Sequence, residues 1–325
     1  MSVKTYAQAI RDVIAQEMRY DENVFVMGED IKVLGGIFGC TRGLIDEFGE
    51  ERVRNTPISE AGFIGTGLGA AAAGMRPIVE LMYMDFTFVA MDQILNQAAK
   101  IRYMTGGNIT VPIVIRGQQG IGRGNAAQHS QSVEAMFMHT PGIKVVMPST
   151  PADAAGLLRT AIRDNNPVMF FEHKALYATK GEVPDDPEFS IPFGKANVVK
   201  KGNDVTIVTN HLYLNKALSV AKKLDKEGIG VEVIDPRTLV PLDKNAILES
   251  LKKTGRLIIV HEAHKIGGWG AEIASMVMEE AFDYLDAPVL RLGAKHCPLP
   301  FNLGLENAVV PQEIEIEEAV RKVLY

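Results

Sequence analysis

The stretch Thr56–Met82, "TPISEAGFIGTGLGAAAAGMRPIVELM", places one carboxylate, Glu60, ahead of a run that carries no further charge until Arg76. Glycines at Gly62, Gly65, Gly67, Gly69 and Gly74, with alanines between them, make a small-residue surface that allows a close neighbour. The run Ile78–Met82 then reads as a buried strand. A small-residue helix feeding an apolar strand is the repeating unit of a layered α/β fold.

The same alternation extends outward in both directions. Val24–Met27, Pro112–Gly117, Lys144–Pro148 and Val168–Phe171 are further strand candidates, separated by helical patterns over Phe88–Met104 and Pro151–Asp164. Ser149 and Thr150 are good caps for the second helix, and Pro151 suits its first turn. Apolar strands alternating with helices predict a mostly parallel sheet covered on both faces. The pattern fails from Leu176 to about Lys201, where "GEVPDDPEFSIPFG" looks like a linker, and restarts with strand runs at Asp204–Thr209, Val231–Asp235, Arg256–Glu262 and Pro288–Gly293. In the terminal helix Ile316, Ala319, Val320 and Val323 share one face. The expectation is two doubly wound α/β domains, residues 1–185 and 201–325, joined by a linker over 186–200. The opening "MSVKTYAQAIRDVIAQEM" reads as one amphipathic helix rather than a signal peptide.

Composition narrows the function. The chain has 325 residues and a net charge of −6, which speaks against a nucleic-acid partner. Its two cysteines, Cys40 and Cys297, frame no disulfide scaffold, and no uncharged run is long enough to cross a bilayer. A cytoplasmic protein is expected.

Three places attract chemistry. Gly65, Gly67 and Ala70 satisfy a dinucleotide-binding glycine pattern, with Glu80 as its acid, but the glycines do not follow a strand directly. On the plain structural reading Ser59 caps a helix and Glu60 sits in its positive first turn. On the functional reading a carboxyl group in apolar surroundings shares a proton with a ligand nitrogen. The second place is "GQQGIGRGNAAQHSQS", Gly117–Ser132, a glycine-rich loop at a strand's carboxyl end, where His129 is a proton-transfer candidate. The third is Tyr83, Phe86 and Phe88, which either pack in the core or stack on a ligand. His261 and His264 are three residues apart, but their strand context argues against zinc.

Taken together, these segments resemble the beta subunit of the thiamine-diphosphate-dependent decarboxylating component of 2-oxo acid dehydrogenase complexes, members of the transketolase-like superfamily. The resemblance rests on the opening stretch, "FVAMDQILNQAAK", "AAQHSQS", "AIRDNNPVMFFE", "GEVPDD" and "IDPRTLVPLD", collinear over nearly the whole chain. It implies a pyrimidine-binding thiamine-diphosphate fold followed by a transketolase C-terminal-like domain. It implies that Glu60 binds the cofactor's aminopyrimidine nitrogen, with Phe86 stacked on that ring and Ile58 and Met82 beside it. His129 then faces substrate and the lipoyl arm and transfers a proton during reductive acylation. Oxygens of Ile113, Ala161, Ile162, Asp164 and Asn166 would form a structural potassium loop. The "GDG…N" motif that anchors magnesium and diphosphate is missing, so an alpha subunit would supply that end in a two-alpha, two-beta assembly. Asp286 and Tyr325 would meet the lipoyl-bearing acyltransferase. Pyruvate, branched-chain 2-oxo acids and acetoin all remain open as substrates. Val89, where relatives often have a polar residue, weakens the carry-over of substrate contacts.

Overall fold

The computed structural model describes all 325 residues. In chain order the strands are β1 (Ser2–Thr5), β2 (Val24–Gly28), β3 (Val53–Asn55), β4 (Arg76–Leu81), β5 (Val114–Gln119), β6 (Lys144–Val146), β7 (Val168–His173), β8 (Lys180–Val183), β9 (Asn197–Lys200), β10 (Val205–Thr209), β11 (Val231–Asp235), β12 (Thr238–Val240), β13 (Leu257–His264) and β14 (Leu290–Ala294). The helices are α1 (Tyr6–Tyr20), α2 (Leu44–Phe48), α3 (Glu60–Ala72), α4 (Ile101–Met104), α5 (Glu134–Met138), α6 (Pro151–Arg163), α7 (Leu212–Asp225), α8 (Lys244–Thr254), α9 (Gly270–Glu280), α10 (Leu303–Val309) and α11 (Glu313–Leu324).

A seven-stranded sheet of order β12-β6-β7-β5-β4-β2-β3 and a five-stranded sheet of order β14-β13-β10-β11-β9 form the two α/β layers. Within the first, every pairing is parallel except that of β12 with β6. Within the second, β9 alone runs antiparallel. Parallel strands buried on both faces explain why β2, β5, β7, β10 and β11 read as unbroken apolar runs or fully buried rows.

The structure refines several expectations. The opening segment is a strand before it is a helix: Thr5 accepts from the Gln8 amide while the Gln8 side chain accepts from the Thr5 amide, so α1 starts at Tyr6. Thr150 caps α6 by accepting from the Asp153 amide, with Pro151 in the first turn. Residues 197–200, within the stretch read as a linker, form β9 against β11. Residues 238–240, beyond the second sheet's first strands, return to pair with β6 of the first sheet. The two layers also share one apolar cluster of 36 buried residues, which runs from Met27 and Phe63 through Val145 to Leu239, Trp269 and Ile273.

Helix α3 has two different glycine faces. A Cβ on Gly67 would fall 2.7 Å from Val79 Cγ2, so this glycine lets the helix lie directly on β4. Gly69 has nothing within 4 Å of the corresponding position, and it lies on an exposed face with Gly62, Thr66 and Ala73. Gly67→Ala is therefore expected to lower the unfolding free energy by about 1–3 kcal/mol through overpacking. Gly69→Ala should raise it by up to about 1 kcal/mol through helix propensity. Urea titrations of the two variants check the contrast, and equal shifts would contradict it.

Candidate active site at the carboxyl ends of the parallel strands

Strands β2, β4, β5 and β7 are adjacent and parallel, so the segments that leave their carboxyl ends converge on one edge of the sheet. In an open α/β sheet that edge is where ligands bind. Glu29 follows β2, Tyr83 and Phe86 follow β4, the His129 loop follows β5, and Lys174 follows β7.

Glu60 is the first residue of α3 and is 6% exposed. The preceding Ser59 hydroxyl makes no cap bond, whereas Glu60 does sit in the first turn, so only the second half of the plain reading holds. Gly65 and Gly67 lie inside the helix instead of in a turn before it, and Glu80 is ion-paired to the buried Arg116. The dinucleotide fingerprint fails on both counts, because it needs its glycines in the strand-to-helix turn and its acid free for a ribose.

A second carboxylate, Glu29, accompanies Glu60. Burial first, then the negative charges of Glu60 and Asp30, push the Glu29 carboxyl up to about 7. Its Oε1 is buried without a hydrogen-bond partner. A buried carboxyl beside a second acid keeps its proton to a higher pH, which suits Glu29 to meet a basic ring nitrogen. Glu29 was missed in the sequence. Its signal in the sequence is an acid directly after an apolar strand, in "VFVMGED".

Aromatic groups gather at the same edge of the sheet. Phe86 is half-buried in a 3₁₀ turn over Met84–Ala90 that runs into a π-helical turn over Asp92–Ala98. The His129 ring meets Tyr83 edge-on at 4.8 Å and Phe86 edge-on at 5.4 Å. Tyr83 and Phe86 are thus site walls, whereas Phe88 is exposed. Lys174 donates to the His129 carbonyl and lies 5.1 Å from the Tyr83 ring centre. Burial lowers the Lys174 amine to about 8. Met82 is half-buried at the end of β4, whereas Ile58 is 81% exposed and makes no enclosed wall within the single chain.

The remaining candidates lie elsewhere. Ile113, Ala161, Ile162, Asp164 and Asn166 gather where α6 meets β7. There the Ile162 and Asp164 carbonyls accept from Arg76, and the Asn166 side chain accepts from Arg102. His261 and His264 each turn Nδ1 to a main-chain oxygen, of Ala263 and Lys295 respectively. Asp286 lies 3.5 Å from Arg256, which also donates to the Val323 carbonyl, so Asp286 and the chain end at Tyr325 belong to one surface. No helix is long and apolar enough to cross a membrane.

The chain is similar to known proteins over its whole length. Residues 2–180 match the transketolase pyrimidine-binding domain, and residues 194–316 match the transketolase C-terminal domain. The chain is 48% identical over 325 residues to the pyruvate dehydrogenase E1 component subunit beta of Rhizobium meliloti, covering 100% of this chain and 71% of that one. It is 46% identical to the acetoin:2,6-dichlorophenolindophenol oxidoreductase subunit beta of Bacillus subtilis, covering 99% and 97%. The 2-oxoisovalerate dehydrogenase subunit beta of the same organism is also 46% identical, with 99% of each chain covered. A solved split-gene transketolase, an inactive beta4 tetramer, shares the fold with a TM-score of 0.79 at 24% identity, covering 98% of this chain and 97% of that one.

The fold and the site define a transketolase-like protein whose pyrimidine-binding domain implies thiamine diphosphate. The chain belongs to the E1 beta subunits of 2-oxo acid dehydrogenases.

The raised Glu29 carboxyl makes stability depend on pH. Between its ordinary value of 4.5 and its folded value of about 7, the folded state binds more protons than the unfolded one. Stability contributed by protonated Glu29 is therefore present at low pH and is lost as pH rises through that window. Glu29→Gln should abolish this loss, so denaturant midpoints of variant and wild type diverge progressively between pH 5 and pH 8, in favour of the variant. Parallel curves would show that Glu29 carries no raised value.

Proposed function

We propose that this chain supplies the pyrimidine end of a thiamine-diphosphate site shared with an alpha subunit. The observation that carries the reading is the Glu29–Glu60 acid pair, which lies at the same sheet edge as the Phe86–Tyr83–His129 cluster. Glu60 would hold a proton at the aminopyrimidine nitrogen, Phe86 would cover the ring face, and Met82 and Ile58 would flank it. The buried, unpartnered Glu29 oxygen fits such a group, since a ring nitrogen and amine supply the missing polar partner. Thiamine diphosphate, when bound, supplies the electron sink for decarboxylation of a 2-oxo acid. The role of this chain is to hold the ring nitrogen with Glu60 and to cover the ring with its aromatic side chains. His129 would pass a proton as the acyl group moves to the lipoyl acceptor.

An alpha subunit is implied because the chain has no "GDG" motif for magnesium and diphosphate. The exposed small-residue face of α3 and the open side of Ile58 are where that subunit would close the site, giving a two-alpha, two-beta assembly. The oxygens of Ile113, Ala161, Ile162, Asp164 and Asn166 would hold potassium. This donor set is made of oxygen alone, and each carbonyl that accepts from Arg76 keeps a second lone pair. Pyruvate, 2-oxoisovalerate and acetoin are the substrates to compare, because relatives named for each are similarly close.

Glu60→Gln should fold and associate normally yet reduce activity of the reconstituted enzyme by about 10²–10⁴-fold, the range for a lost acid–base group. Activity within a few-fold of wild type would remove Glu60 from the mechanism. His129→Ala should impair acyl transfer to a lipoyl acceptor far more than oxidation with an artificial electron acceptor. Equal loss in both assays would assign His129 to decarboxylation.

The Asp286–Arg256–chain-end surface would dock the acyltransferase through charge. Asp286→Lys is expected to weaken that complex about tenfold at low salt and much less at high salt, where the Debye length shortens. Unchanged binding at low salt would locate docking elsewhere.

A further inference from the structure

The second domain reaches the His129 loop through two carboxylates, Glu262 and Glu306. Glu262, on β13, is 7% exposed, and its carboxylate accepts hydrogen bonds from three groups of the first domain. The Ile121 amide donates to Oε1 at 2.7 Å, the Ser132 hydroxyl to the same oxygen at 3.2 Å, and His173 Nε2 approaches Oε2 at 2.9 Å. The Ala175 amide donates to His173 Nδ1 at 3.2 Å, which assigns the ring proton to Nε2 and makes His173 a donor to Glu262. Ile121 and Ser132 are the two stems of the loop whose tip carries His129. A neighbouring pair, the Gly120 amide and the Gln131 carbonyl, closes the same neck at 3.1 Å. Gly120 has a φ of +88°, and a Cβ there would fall 2.4 Å from both Glu262 Oε1 and His173 Nε2. The glycine is what lets the carboxylate reach the neck. Glu306, also from the second domain, accepts from the Gly122 amide at 3.1 Å.

We propose that Glu262 is a positioning residue for acyl transfer: the second domain uses its carboxylate to clamp both stems of the 120–132 loop and so fix His129 against Tyr83 and Phe86. The inference rests on the proposed role of His129 and extends the site to a domain that otherwise brings it no reacting group. A carboxylate suits the position because all three of its partners donate. An amide there opposes its NH₂ to one donor or another, and His173 cannot invert its tautomer without losing the Ala175 bond.

The test uses the reconstituted enzyme with its alpha subunit. Glu262→Gln should slow transfer to a lipoyl acceptor by about 10–100-fold, the scale on which a displacement of about 1 Å acts, and leave artificial-acceptor oxidation within about threefold. Hydrogen exchange of the 121–131 amides should quicken about tenfold or more, while that of β10 and β13 stays unchanged. Ser132→Ala removes one stem contact and should show the same pattern more weakly, and it carries the test if the glutamine variant fails to fold. Unchanged loop exchange overturns the proposal. So does faster exchange with wild-type transfer, or equal loss in both reactions. His129→Ala run beside them separates the two layers: its loss of transfer with none in Glu262→Gln overturns this inference alone, whereas wild-type transfer by His129→Ala overturns the role of His129 and this inference with it.

Discussion

The first sheet is organised around a buried cation. Arg116, 1% exposed on β5, reaches Glu172 of β7 with two bonds of 2.6 Å and also pairs with Glu80 of β4. Tyr177 donates to Glu172 at 2.6 Å, which satisfies another carboxylate lone pair. Three adjacent parallel strands are thus tied together one layer beneath the site edge. Removing one partner of such a pair costs about 3–5 kcal/mol, because it leaves an unmatched charge in a low-polarity interior. The same cluster fixes more than the strands. Gly36 (φ +71°) lies so close above Glu80 that a Cβ would fall 2.3 Å from its Oε1, so the segment following Glu29 rests directly on the network. Side chains at the sheet edge inherit their spacing from this layer.

What the sequence discloses follows from range. Buried parallel strands announce themselves locally through β-branched runs, and Glu60 stands out because nothing charged surrounds it. His129 stands out because glycines precede it. Contacts that join distant segments leave no comparable trace. Glu29 owes its raised proton affinity first to burial and then to Glu60, which is 31 positions away in the chain. Lys174 looks like an ordinary charge after a strand until the fold sets it under the His129 carbonyl. Short edge strands such as β8, β9 and β12 were legible least, since three or four residues carry too little periodicity to register.

The site is also one-sided in a physically consistent way. Glu29 and Glu60 are buried and Phe86, Tyr83 and His129 partly so, whereas Ile58 and one small-residue face of α3 are exposed. An apolar side chain 81% in water is a poor resting state for a monomer and an economical one for a subunit that meets another.

Strand β12 gives the architecture a further property. The chain builds the first sheet, crosses to the second, returns for Thr238–Val240 at the β6 edge, and crosses again. Arg237 adds a bond of 2.7 Å to Asp153 of α6 at the same place. The two layers are therefore interlaced instead of strung in sequence, and no single peptide bond separates them. Cutting near residue 190 would strip β6 of its neighbour and bare a row of unpaired amides and carbonyls, a template for edge-to-edge aggregation. A hinge motion between the layers would have to break the β12–β6 pairing and the Arg237–Asp153 bond together.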